Sequence, residues 1–221
     1  MAGTMIDIDI RAKSFAADKP VLGSIRLQIS PGDTVALMGP SGIGKTTLLR
    51  LIAGLDSKFE GRIEGVGRKV GYVFQSPRLL PWRSTLDNLR IVAPDATDAA
   101  LLGLLEQVGV TEAADLFPRQ LSLGMARRVA IARALAIQPN LLLMDEPFAS
   151  LDMGTSQRLR EMLSGLLSRV GIPTLIVSHG IDDALGLADR VVVLGKRPAT
   201  VILDQGVANI SREDLGTLLS Q

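Results

Sequence analysis

The sequence predicts an α/β fold with a parallel sheet that is covered by helices on both faces. Short apolar runs at residues 35–38, 141–144 and 174–177 alternate with longer segments of helical periodicity. Buried parallel strands are apolar along their whole length, whereas surface helices are apolar on one face only. A glycine-rich run directly after the strand at 35–38 indicates where such a sheet binds a ligand.

The individual elements follow from two kinds of hydrophobic pattern. Alternating or continuous apolar runs predict the strands 5–10, 21–29, 35–38, 61–65, 69–74, 141–144, 174–177 and 191–194. Amphipathic periodicity predicts the helices 47–53, 95–115, 121–137, 155–170 and 182–187. Residues 77–88 are polar and rich in turn-forming residues, so no element is predicted there.

These elements predict one domain over residues 1–221. The first strands are expected to form an N-terminal antiparallel β subdomain, and about residues 76–138 a helical lobe inserted into the parallel sheet. No internal repeat or linker divides the chain.

Composition excludes several classes of function. The 24 basic and 23 acidic residues leave a formal charge of +1, which gives no field that favours nucleic acid. The absence of cysteine excludes disulfides, thiol catalysis and cysteine-bound zinc. The first residues do not resemble a secretory signal, and no run reaches the ~20 apolar residues of a membrane span. Any membrane role must therefore depend on a partner.

A glycine-rich loop carries the strongest functional signal. Its spacing is G-x-x-x-x-G-K-[ST], in which glycines let successive backbone N–H groups point inward around phosphate oxygens. Lys45 is expected to reach the β- and γ-phosphates, and Thr46 to offer its hydroxyl to Mg²⁺, at the positive end of the following helix. The alternative is a glycine-rich turn with an incidental lysine. The predicted P-loop NTPase core would bind nucleotide through Gly39, Pro40, Ser41, Gly42, Ile43, Gly44, Lys45, Thr46 and Thr47.

Two adjacent carboxylates follow the apolar run at 141–144. The carboxyl ends of parallel strands are where open α/β sheets bind ligands, so Asp145 is expected to hold Mg²⁺ and Glu146 to act as general base toward a water. The alternative is that the pair only ends a strand.

A second anion site is predicted where Ser122 and Gly124 open a helix. Taken alone, the segment favours the interpretation of Ser122 as an ordinary helix N-cap. The segment 121–135 nevertheless resembles the signature of the ATP-binding-cassette (ABC) transporter ATPases, in which LSGGQ opens such a helix. Here Leu123 replaces the first signature glycine and Met125 the glutamine. The resemblance implies that Ser122 and Gly124 contact the γ-phosphate bound by the opposite subunit.

The resemblance extends over nearly the whole chain and implies further roles. Gln75 stands at the position of the glutamine that touches Mg²⁺ or the attacking water, and His179 at that of the switch histidine, which binds the γ-phosphate. Phe15 lies about where the family stacks an aromatic ring on adenine, although a core or surface phenylalanine is the alternative. Residues 149–152 resemble the loop that crosses the dimer seam. Gly180 departs from the family, which usually has aspartate there.

The resemblance implies an ATPase that works as a homodimer on the cytoplasmic face of the cell membrane, with ATP and Mg²⁺ as its cofactors. Its implied partners are permease subunits and an extracytoplasmic solute-binding protein. Residues 75–82 are similar to the QxxRLLPW stretch of nitrate, sulfonate and taurine importers. Trp82 in that stretch is expected to line a groove for a permease helix, or alternatively to pack inside the lobe.

Other functions stay open from the sequence. A thiamine-precursor importer shares much of this pattern, and an exporter would differ only in its membrane partner. A soluble ABC protein would predict a second cassette or a basic surface, and a GTPase would predict an N-K-x-D guanine reader; neither is found in the sequence.

Overall fold

The structure is a computed structural model that describes residues 4–15 and 19–220. Residues 1–3, 16–18 and 221 of the predicted domain lie outside the described residues. No described helix is long and apolar enough to cross a membrane.

The strands of the described residues divide between two sheets. In chain order they are β1 (Ile6–Ser14), β2 (Pro20–Leu22), β3 (Ile25–Ile29), β4 (Thr34–Met38), β5 (Glu60–Glu64), β6 (Val70–Val73), β7 (Leu141–Asp145), β8 (Thr174–Val177), β9 (Arg190–Gly195) and β10 (Thr200–Gly206). The larger sheet has the order β10-β9-β4-β8-β7-β6, and every neighbouring pair is parallel except β9 and β10. The predicted α/β class with a parallel sheet is confirmed.

The helices cover the parallel sheet and form the segment between β6 and β7. They are α1 (Lys45–Ile52), α2 (Thr85–Arg90), α3 (Asp98–Gln107), α4 (Leu123–Ala136), α5 (Met153–Val170), α6 (Ile181–Leu187) and α7 (Arg212–Leu219). The α1 helix packs with the antiparallel sheet in one apolar cluster, and α3, α4 and α5 share a second.

The N-terminal antiparallel sheet is built on β1, which pairs with β2, β3 and β5. The prediction of one strand over 21–29 is wrong, because the segment forms two strands, β2 and β3, separated by residues 23 and 24. There the Gly23 N–H donates to the Ala199 carbonyl at 2.8 Å, and the Ala199 N–H donates to the Val21 carbonyl at 2.9 Å. Hydrogen bonds to a distant segment thus end β2 before the alternating pattern ends.

Two predictions within the helical lobe are wrong in detail. Helix α2 lies in the stretch predicted to be turn-rich, because the Ser84 side chain accepts a hydrogen bond from the Asp87 N–H at 3.1 Å and caps it. The helix predicted over 95–115 is longer than the one observed, because α3 ends at Gln107. Gly109 follows with a φ of 69°, which is not helical. Strand β10 was not predicted.

The topology brings three functional segments to one edge of the sheet. Strands β4, β8 and β7 are adjacent and parallel, so their carboxyl ends lie side by side. The glycine loop follows β4, Asp145 ends β7, and His179 comes shortly after β8. This is the edge at which open α/β sheets bind ligands.

Candidate active site

Lys45 lies buried at the start of α1, with only 5% of its surface exposed. Its Nζ donates to the Gly39 carbonyl at 2.7 Å and to the Pro40 carbonyl at 2.9 Å, so the ammonium group is held over the loop. Burial lowers the pKa of Lys45, and the nearby carboxylates of Glu146 and Asp145 oppose that shift. The lysine side chain is therefore held inside the glycine-rich loop at the N-terminus of α1, an arrangement that suits an anionic ligand.

Two positions of the loop, Gly39 and Gly44, have no room for a side chain. Gly39 has a φ of 142°, and a Cβ there would lie 2.4 Å from the Leu194 carbonyl oxygen. Gly44 has a φ of 115°, and its Cβ would lie 2.6 Å from Leu22 Cδ2. Any other residue would deform the loop at both positions, so the glycines are needed for its tight path.

Thr46 and Asp145 supply oxygen atoms beside the loop. The Thr46 hydroxyl donates to Asp145 Oδ1 at 3.1 Å, and the Tyr72 hydroxyl donates to Asp145 Oδ2 at 3.4 Å. Burial raises the pKa of the Asp145 carboxyl, with Glu146 acting in the same direction and the hydrogen bond from Thr46 opposing it. A hydroxyl and a buried carboxylate fit Mg²⁺, which prefers oxygen ligands and usually takes only one or two carboxylates from protein.

Glu146 receives hydrogen bonds on both carboxylate oxygens. Gln75 Nε2 donates to Glu146 Oε2 at 2.9 Å, and His179 Nε2 lies 2.6 Å from Glu146 Oε1 in a hydrogen bond donated by the imidazole N–H. The backbone of Glu146 has a φ of 50°, a left-handed conformation that is uncommon for non-glycine residues. Three residues predicted from separate segments therefore form one hydrogen-bonded cluster.

Two arginines of α4 support this cluster, and the sequence interpretation did not single them out. Arg127 donates to the Glu146 carbonyl at 3.3 Å and to the Ala149 carbonyl at 2.6 Å. Arg133 donates to the backbone carbonyls of Pro77 and Arg78, at 2.9 and 2.8 Å, just after Gln75. One helix thus holds the backbone beside both Gln75 and Glu146.

A cleft of about 450 Å³ gathers most of the predicted site residues. Phe15 lies at its edge with 66% of its surface exposed, and the Lys13 ammonium sits 4.9 Å from the centroid of its ring. Ile43, by contrast, is buried, so only its backbone is available to a ligand. The cleft is lined by Phe15, Val21, Ser41, Gly42, Gly44, Lys45, Thr46, Thr47, Gln75, Glu146 and His179.

Ser122 and Gly124 do not line this cleft among the described residues. Ser122 is exposed and caps α4, since its hydroxyl accepts from the Met125 N–H at 3.2 Å. Gly124 is buried, and a Cβ there would lie 2.7 Å from Thr155 Cγ2 on α5. A close approach of two helices therefore requires this glycine, independently of any ligand.

The fold and the cleft define a P-loop nucleoside triphosphatase. A sequence profile described as ABC transporter matches residues 22–149 of the chain. The chain belongs to the ABC transporter family and is an ATP-binding ABC-type ATPase, as the similarity of the signature segment indicated.

Similar proteins support this assignment over nearly the whole chain. It is 44% identical over 202 residues, which are 91% of this chain and 85% of the relative, to the aliphatic sulfonates import ATP-binding protein SsuB 1 of Pseudomonas syringae pv. syringae (strain B728a). It is 41% identical to the protein of the same name from Xanthomonas axonopodis pv. citri (strain 306), with 91% of this chain and 85% of that protein covered.

Two solved structures have the same fold. The dimeric structure of a bacterial ABC transporter cassette superposes with a TM-score of 0.78 at 26% identity, covering 93% of this chain and all of that chain. A dimeric post-hydrolysis state of an ATP-binding cassette with ADP and phosphate superposes with a TM-score of 0.74 at 25% identity and the same coverage.

Proposed function

We propose that the chain is the ATP-hydrolysing subunit of an importer for aliphatic sulfonates. The observation that carries the ATPase role is the cluster of Gln75, Glu146 and His179 at the edge of the cleft that also holds Lys45. The substrate class is supported by relatives that are named for aliphatic sulfonate import and are 44% identical to this chain.

The loop and Lys45 would bind the triphosphate. Backbone N–H groups of residues 41–46 and the Lys45 ammonium are suited to the β- and γ-phosphates, and Thr46 with Asp145 to Mg²⁺. The cation, when bound, supplies positive charge that offsets the charge of the phosphates. Phe15, exposed at the edge of the cleft, is suited to stack on the adenine ring.

Glu146 would act as the general base. It accepts a proton from a water whose oxygen attacks the γ-phosphorus, while the bond from that phosphorus to the bridging oxygen of ADP breaks. The products are ADP and inorganic phosphate. Gln75 and His179 contact the two carboxylate oxygens of Glu146, so they would fix its orientation and stand beside the γ-phosphate.

A second copy would complete each site. Ser122 is exposed at the N-terminus of α4 and is not part of the chain's own cleft, which supports the interpretation that Ser122 faces ATP bound by another copy. Gly124 is buried against α5, so its part in that contact stays a prediction from the resemblance. The dimeric cassette with the same fold supports the same arrangement. ATP would then close the dimer and its hydrolysis would open it.

The helical lobe would transmit this motion to permease subunits at the cytoplasmic face of the membrane. Trp82 is 69% exposed, so it does not fill the interior of the lobe. Exposed tryptophans often anchor protein interfaces because they bury a large area with few rotatable bonds. An extracytoplasmic solute-binding protein is the further partner expected of an importer.

Replacing Trp82 by alanine is expected to weaken coupling without harming the fold. Because the side chain is mostly exposed, the free energy of unfolding should change by no more than about 0.5 kcal/mol. Basal ATP hydrolysis should stay within about twofold of the unmodified protein, while ATP-driven solute uptake in proteoliposomes with the membrane partner falls about tenfold or more. Trp82→Phe is the matched control; loss of stability with normal uptake would assign Trp82 a packing role.

The substrate class is tested by uptake in the assembled transporter. Proteoliposomes that contain the chain, its permease and its solute-binding protein should accumulate an alkanesulfonate when ATP is present inside. Nitrate and a thiamine precursor serve as competing solutes. Uptake of either of these in preference to the sulfonate would contradict the proposed substrate, and failure of the isolated chain to hydrolyse ATP would contradict the proposed reaction.

A further inference from the structure

A buried hydrogen-bond network lies behind His179. Asp183 on α6 and Ser178 after β8 are both buried, and the Ser178 hydroxyl donates to Asp183 Oδ2 at 2.7 Å. The same hydroxyl accepts the Gly180 N–H at 3.0 Å. Ser178 is therefore bonded directly to the Asp183 carboxylate, and Gly180 is linked to that carboxylate through the Ser178 hydroxyl, which restricts the backbone that carries the imidazole.

Asp183 is itself held from another helix. Arg160 on α5 donates to Asp183 Oδ1 through Nε at 3.0 Å and through a terminal nitrogen at 2.6 Å. Each carboxylate oxygen thus has its own partner, with Arg160 on one side and Ser178 on the other. Because both oxygens of the Asp183 carboxylate are hydrogen-bonded, one of them to a charged guanidinium, the orientation of this carboxylate is fixed. It can therefore act as a rigid support for the loop that carries His179.

Gly180 makes room for this carboxylate. A Cβ at position 180 would lie 2.5 Å from Asp183 Oδ2, closer than any real side chain approaches. The backbone itself does not require glycine, because φ is −83° and ψ is 122°. The close approach of the Asp183 carboxylate to residue 180 therefore depends on the absence of a side chain at that position.

Arg160 also faces the segment that follows Glu146. Its guanidinium carbon lies 5.9 Å from the centroid of the Phe148 ring, and α5 begins directly after residues 149–152. The resemblance places that loop at the dimer seam. Arg160 thus lies against Phe148, in the segment that follows Glu146, and also pairs with Asp183 behind His179.

We propose that Asp183 is a positioning residue for ATP hydrolysis: anchored by Arg160, it holds the loop 178–180 so that His179 reaches Glu146. This inference rests on the proposed roles of His179 and Glu146. Asp183 does not line the cleft that holds Lys45, although it lines a neighbouring cavity with Glu146 and His179, so it is placed to act on the loop rather than on the phosphates. It should therefore affect turnover rather than ATP binding.

The neighbouring Asp182 offers a matched control. It lies on the same helix and pairs with Arg212 on α7, where both side chains are more than half exposed. Exposed ion pairs contribute little to stability. Asp182→Asn removes the same charge one residue away without touching the loop 178–180.

The experiment compares steady-state ATP hydrolysis by Asp183→Asn, Asp182→Asn and the unmodified chain. For Asp183→Asn we expect kcat to fall by about 10-fold to 100-fold, with KM for ATP within about threefold, because a charge-assisted hydrogen bond is lost away from the phosphates. Asp182→Asn should keep kcat within about twofold. Unchanged kcat in Asp183→Asn, or an equal loss in both variants, would overturn the proposal.

Gly180→Ala provides a second test that keeps the charges of both Arg160 and Asp183 and an allowed backbone. The added methyl should displace the carboxylate and lower kcat by about 10-fold, again with little change in KM. The double variant with Asp183→Asn should be no slower than Asp183→Asn alone, because both changes break the same support. Fully multiplicative losses would contradict a shared mechanism.

The proposed function of the site and the proposed role of Asp183 can be contradicted separately. If the unmodified chain does not hydrolyse ATP, or if His179→Ala keeps full activity, the proposed function of the site is wrong. If His179→Ala loses activity while Asp183→Asn and Gly180→Ala keep theirs, only the positioning role is wrong. Thermal unfolding of each variant identifies a loss of activity that comes from unfolding alone.

Discussion

Glu146→Gln is expected to lower kcat for ATP hydrolysis by about 10²-fold to 10⁴-fold, because glutamine keeps the shape of the side chain but cannot accept a proton from water. Gln75 and His179 both contact this side chain, and an amide oxygen can still accept from one of them. The cleft should therefore stay intact and bind ATP normally. Bound ATP that is not hydrolysed should hold two copies together.

Two measurements check this expectation. Phosphate release gives the rate, and light scattering after size-exclusion chromatography with ATP and Mg²⁺ gives the oligomeric state, which should shift to a dimer only for the variant. Glu106→Gln is the matched control, since Glu106 is an exposed glutamate on α3. Ordinary hydrolysis by Glu146→Gln would exclude Glu146 as the base.

Local signals explain which parts of the fold were predictable. Strand β4, the glycine loop and α1 follow one another within a short stretch, and their patterns do not depend on distant residues. The same holds for β7 with its two carboxylates and for α4 with its Ser122 cap. For these elements the predicted bounds differ from the observed ones by only a few residues.

Long-range contacts explain the wrong predictions. The break between β2 and β3 depends on Ala199. The first N–H groups of α2, those of Thr85 and Leu86, donate to the carbonyls of Leu116 and Ala114 at 2.8 and 2.9 Å, which adds distant partners to the local Ser84 cap. Strand β10 is half exposed and, among the described residues, pairs with β9 alone, and its continuous apolar run is only three residues long, at 201–203. Each of these features is decided by a partner that the local pattern does not contain.

The same reasoning separates the predicted from the missed site residues. The glycine loop with Lys45 and the carboxylate of Glu146 each follow a buried strand, so the pattern predicted that they meet. His179 was assigned from the resemblance to the ABC family. Arg127 bonds the backbone of another segment, and Asp183 bonds the Ser178 hydroxyl. The sequence marks neither contact, because the burial of both side chains is known from the structure alone.

Lys45→Ala is expected to weaken ATP binding by about 10²-fold or more and to reduce hydrolysis below detection. The buried ammonium is suited to both the β- and γ-phosphates, and loss of one or two charge-assisted hydrogen bonds is worth about 3 kcal/mol, which corresponds to that factor. Binding of a fluorescent ATP analogue and phosphate release measure the two effects. Lys69→Ala, which removes an exposed lysine at the start of the neighbouring β6, should match the unmodified chain in both.

Since Lys45 also donates to the Gly39 and Pro40 carbonyls, thermal unfolding without nucleotide must show that the loop variant is folded. A folded Lys45→Ala that binds and hydrolyses ATP at the normal rate would remove the basis for placing phosphates in this loop.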